Sequence, residues 1–141
     1  MTNESLLHRL DERELAMLAL ISDMTELLDE DATRGGGGYR QAERRLARSL
    51  RGYQRFKHDE IFDPAIISGS PSREAAARRL KQDCIAGGED VRAHLRRWRN
   101  ADVAAEWSIF QPAMRMVTRH LHDHVTAEGV QIRLLLTEAR G

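Results

Sequence analysis

The chain has a single cysteine, three prolines and few aromatic residues, 5% in all, and its charges cancel. Each shortage excludes something. Lone Cys84 rules out an intramolecular disulfide and fits a reducing compartment. The 22 basic and 22 acidic residues leave no net charge, which argues against a chain built to grip nucleic acid by its phosphates. The basic runs RQAERRLARSLR and RAHLRRWR read as solvated helix faces. No stretch approaches the ~20 apolar residues that span a bilayer, so no membrane partner is expected. The opening MTNESLLHRLDEREL lacks the basic start and apolar run of a signal peptide, and a cytoplasmic protein is the expectation. Catalytic signatures are missing as well. There is no Gly-rich phosphate loop followed by Lys, no nucleophile elbow, no CxxC pair and no HExxH.

What is present favours helix. Ala, Leu, Arg and Glu dominate, and 141 residues suffice for one domain, 1–141, with its own core. Four helical blocks are predicted and no strand. The first runs from about Ser5 to Asp31 on a stripe including Leu10, Met17, Ile21, Met24 and Leu28, and the four glycines 35–38 are expected to make a flexible connection after it. The second runs from Tyr39 to about Ile61 on Leu46, Leu50 and Tyr53. Ser70 and Pro71 mark the start of the third, which reaches Arg99 on Leu80, Cys84, Val91, Leu95 and Trp98, with a bend or break at Gly87 and Gly88. The fourth follows Asn100 and continues to about Glu138, with Pro112 near its first turns. Four such segments joined by short loops predict an all-α, antiparallel up-down-up-down four-helix bundle.

The histidines separate by helical geometry. Phe110, Met114, Val117, Leu121, His124 and Glu128 lie within about 80° of one another around a helix, so the last two continue a buried stripe. Burying a carboxylate needs compensation by a partner charge, a metal or water. His122 points away to solvent and His120 sits at the edge of the stripe. The pattern His124-Val-Thr-Ala-Glu128 sets an imidazole and a carboxylate one turn apart, an arrangement equally suited to metal ligation and to an i,i+4 pair. His58 and His94 sit at stripe boundaries, and His8 is expected at the surface. Cys84, on an apolar stripe, reads as a small hydrophobe.

Two segments, "LHDHVTAEGVQIRLLL" and "FKHDEIFDPAI", resemble the hemerythrin-like family, the HHE cation-binding domains. The resemblance implies a four-helix bundle in which helices one and three each supply a His and helices two and four each supply HxxxE. It implies iron, mononuclear or diiron, as cofactor and a metal ion with dioxygen as partners, in an oxygen, redox or metal-sensing role. Only His124 and Glu128 match the pattern cleanly. With Pro64 set on the family's proline, the second-helix slots fall on Gln54 and His58, the first-helix slot near Arg13, and the third near Asp83 or Cys84. The candidate ligands are therefore His124 and Glu128, then His58, with His94 and His120 after them. The alternative is a metal-free interaction or regulatory module, working as a homodimer or with another protein, in which Arg13 supplies the charge that Glu128 would otherwise take from a metal.

Overall fold

A computed structural model of the chain describes residues 2–138, and among these it is all-helical, with no strand. Four long helices account for it. Helix α1 spans Asn3–Leu28, α2 Ala32–Lys57, α3 Pro71–Arg97 and α4 Trp107–Glu138. A π-helical turn, His58–Phe62, and the short helical segment Asp63–Ile66 carry α2 onward, with Asp63 N–H donating to the His58 carbonyl. The arrangement is compatible with a four-helix bundle: α1 packs on α2 and α4, α4 packs on α3, and α3 packs on the continuation of α2. No helix among the described residues is long and apolar enough to cross a membrane.

Local chemistry sets the ends. Thr2 caps α1, its hydroxyl accepting from Ser5 N–H at 3.1 Å, and Asp31 caps α2 by accepting from Arg34 N–H at 3.0 Å. Pro71 opens α3 as expected, but Ser70 makes no side-chain cap; Glu74 instead accepts from Gly69 N–H at 3.1 Å. Gly69 has φ of 87°, a left-handed turn that favours glycine.

Three expectations are corrected. Glycines 35–38 are no linker, since α2 already starts at Ala32. Two of them serve close approach: a Cβ on Gly35 would stand 2.5 Å from the Trp107 ring and 2.7 Å from the Leu27 carbonyl oxygen, and one on Gly36 would stand 2.6 Å from Ala104. Gly87 and Gly88 do not break α3, which runs through them unbroken. Finally, α4 starts at Trp107 rather than just after Asn100, because Asp102 turns the chain by accepting from Ala105 N–H at 3.1 Å.

Most of the core is apolar, with Met17, Met24, Leu46, Phe62, Met114 and Ile132 among its fully enclosed side chains. At one end Phe110 is ringed by Tyr39, Trp107 and Trp98, with centroids 4.5, 5.7 and 5.2 Å away. Arg40 straps this end by donating to the carbonyls of Trp98 at 2.7 Å and Ala101 at 2.9 Å. Surface ion pairs join the helices elsewhere: Arg9 with Glu60, Lys81 with Asp63, and Arg133 with Asp11 and Glu14.

Candidate functional site

The polar centre of the core is an ion pair. Lys57, near the end of α2, carries its Nζ to 2.5 Å from Glu128 Oε1 on α4, and both side chains are only 2% exposed. The lysine ammonium lies over the Tyr53 ring, with Nζ 4.2 Å from its centroid. Glu128 Oε2 makes no hydrogen bond to a described residue, and His124 Nε2 stands 3.4 Å from it. Burial works to raise the Glu128 pKa, but His124 and the Lys57 charge together outweigh it and hold the carboxyl below its ordinary range.

The surrounding groups belong to the same enclosed patch. Cys84 of α3 is buried, and burial pushes its thiol up while Lys57 and Gln54 pull the other way. Gln54 Nε2 donates to the Cys84 carbonyl at 3.3 Å. The Tyr53 hydroxyl is buried without a hydrogen-bond partner, and burial followed by the nearby Glu128 charge raises its pKa. His124 is the half-exposed member, its side chain 26% exposed. Its ring lies against the backbone of α3 at Gly87, where a Cβ would meet it at 3.4 Å. From there it lines a crevice of about 420 Å³ between α3 and α4, with Asp83, Asp90, Val117 and His120 also on its walls.

The five candidate ligands do not share one place. His124 and Glu128 are together, as their spacing required. His120 is exposed on the crevice wall. His58 opens the π turn beside Phe62, 5.5 Å between centroids, and its buried Nε2 has no hydrogen-bond partner. His94 packs into the aromatic end, 6.1 Å from the Phe110 ring, and its Nε2 is likewise buried and unpartnered. Burial, then nearby cations, lowers the pKa of both rings, with Lys81 and Lys57 acting on His58 and Arg97 on His94.

Arg13 is not the counter-charge. It is exposed, donates to the Gly52 carbonyl at 3.3 Å and stacks over Phe56 at 4.8 Å. Sequence reasoning missed Lys57, although the signal was present. Leu46, Leu50, Tyr53 and Lys57 follow one another at steps of four, three and four, so Lys57 ends the buried stripe of α2 just as Glu128 extends that of α4.

The donor set does not fit the diiron centre that the resemblance implies. No group of three or more His, Cys, Asp or Glu able to hold a metal occurs among the described residues. A cation at Glu128 would also face the Lys57 ammonium 2.5 Å from the carboxylate. The chain matches no family model, no curated protein and no solved structure.

Proposed function

We propose that the chain is a metal-free four-helix interaction or regulatory module, laid out on a hemerythrin-like plan in which Lys57 supplies the charge a metal would have supplied. One observation carries this reading: the 2.5 Å contact between Lys57 and Glu128 inside the core. A carboxylate removed from water needs a cation, and once a lysine on a neighbouring helix meets that need, a metal adds like charge to a neutral pair. The remaining imidazoles are dispersed between the aromatic end, the π turn and the surface, where they pack or meet solvent. No residue is assigned a catalytic role.

A cation-binding reading, with iron as the ion, keeps one observation in its favour. Glu128 Oε2 is buried without a hydrogen bond, and His124 Nε2 lies 3.4 Å away. Metal analysis separates the two. Protein purified with iron available should carry far less than one metal ion per chain, with no difference in His124→Ala. Stoichiometric metal that His124→Ala removes would establish the cation-binding reading instead.

A further inference from the structure

The outer face of α4 carries an apolar stripe that the fold leaves uncovered. Ile109 is 63% exposed, Met116 59%, Val130 56% and Leu134 46%, although all four are large and hydrophobic. Ala113, half-buried, and Ala127, exposed, fill the gaps between them, and exposed His120 and Asp123 stand at the middle. At ~100° per residue these eight positions fall within about 100° of one another, in a band running about 38 Å along the helix. Elsewhere among the described residues the large exposed apolar side chains are Leu15 on α1, Ile85 on α3 and Ile67 just past the segment Asp63–Ile66.

The order of this stripe is self-complementary. Its steps are four, three, four, three, four, three and four residues, the same in both directions and the alternation of a coiled-coil seam. Turned end for end on a copy of itself about the middle of the stripe, Ile109 meets Leu134, Ala113 meets Val130, Met116 meets Ala127, and His120 meets Asp123. The two inner apolar pairs set a large residue against a small one. The one polar pair occurs twice, on either side of the two-fold axis, and matches a group that can carry positive charge with a carboxylate. A parallel pairing would instead set His120 on His120 and Asp123 on Asp123.

We propose that α4 is a self-association surface, and that its partner is a second copy of this chain docked antiparallel through Ile109, Met116, Val130 and Leu134, with His120 and Asp123 fixing the register. Such an interface is isologous: one patch serves both subunits, and the contact closes at two copies. The polar pair at the centre selects register and direction, as buried polar residues do in coiled coils. This deepens the interaction reading by naming the partner, and it is independent of metal content, so either claim can fail without the other.

Sedimentation or light scattering of the full chain over a concentration series tests it. A monomer–dimer equilibrium is expected. Asp123→Lys should weaken it by roughly tenfold or more by removing the carboxylate that His120 faces and reversing its charge, and adding His120→Asp should restore it by pairing the new lysine with a carboxylate. These residues are exposed, so unchanged far-UV circular dichroism shows the fold intact. In the direction test, Met116→Cys with Ala127→Cys should cross-link into dimers on mild oxidation, whereas Met116→Cys alone should not. A chain monomeric up to millimolar concentration, a dimer indifferent to Asp123→Lys or not rescued by His120→Asp, or cross-linking through Met116→Cys alone would each overturn the proposal.

Discussion

Lys57 shows how one side chain decides the reading of a site. The sequence pointed correctly to Glu128 as a buried carboxylate, because its apolar neighbours recur at helical spacing. The same spacing runs through Leu46, Leu50 and Tyr53 to Lys57, but lysine at a stripe's end is ordinarily taken as a snorkelling surface residue. Only packing distinguishes the two: the Tyr53 face covers the ammonium and Glu128 receives it. Arg13 failed as the counter-charge because a helical face says nothing about which neighbour lies opposite, and that face of α1 meets Phe56 and the Gly52 carbonyl. Cys84 is the readily checked member of the patch. Buried at 1% exposure with its thiol pKa raised, it should resist a thiol reagent in the native protein and react at the rate of local opening. Rapid stoichiometric labelling without denaturant would show that the patch is open.

At the scale of elements, the apolar periodicities gave the helices and their inward faces, and composition misled where glycine has two uses. A run of four glycines reads as a linker, because each weakens a helix by roughly 0.5–1 kcal/mol relative to alanine. The α2 glycines divide by what surrounds them. Gly35→Ala should destabilise the protein by about 1–3 kcal/mol, because the new methyl meets the Trp107 ring and a backbone oxygen that cannot yield. Gly37→Ala should stabilise it by up to about 1 kcal/mol, because nothing lies within 4 Å of that position. Denaturant unfolding of the two variants checks both signs. The π turn at His58–Phe62 was invisible in the pattern, because it follows the last stripe residue, Tyr53, and too few apolar positions remain before Pro64 to show the phase shift of one extra residue.

For the whole molecule, stability should fall in acid in two stages. His58 and His94 have folded-state pKa values below the ~6.5 of an unfolded histidine, so the unfolded chain takes up their protons first. Their contribution is complete above about pH 6.5 and is lost as the pH falls through the folded values. Glu128 contributes above the ~4.3 of a free glutamate and loses its contribution only at lower pH, through its depressed folded value. Unfolding free energy should therefore be lower at pH 5.5 than at 7.5, and the difference should shrink in His58→Gln with His94→Gln; a slope unchanged by both substitutions would assign it to other groups. The claim on which the account turns is that Lys57 and Glu128 satisfy each other in the core, and a double-mutant cycle on stability measures that pair directly. Lys57→Met should cost about 3–5 kcal/mol by removing the buried carboxylate's cation, while Lys57→Met combined with Glu128→Leu should recover most of that loss. Additive effects of the two substitutions, with no coupling between them, would contradict the account.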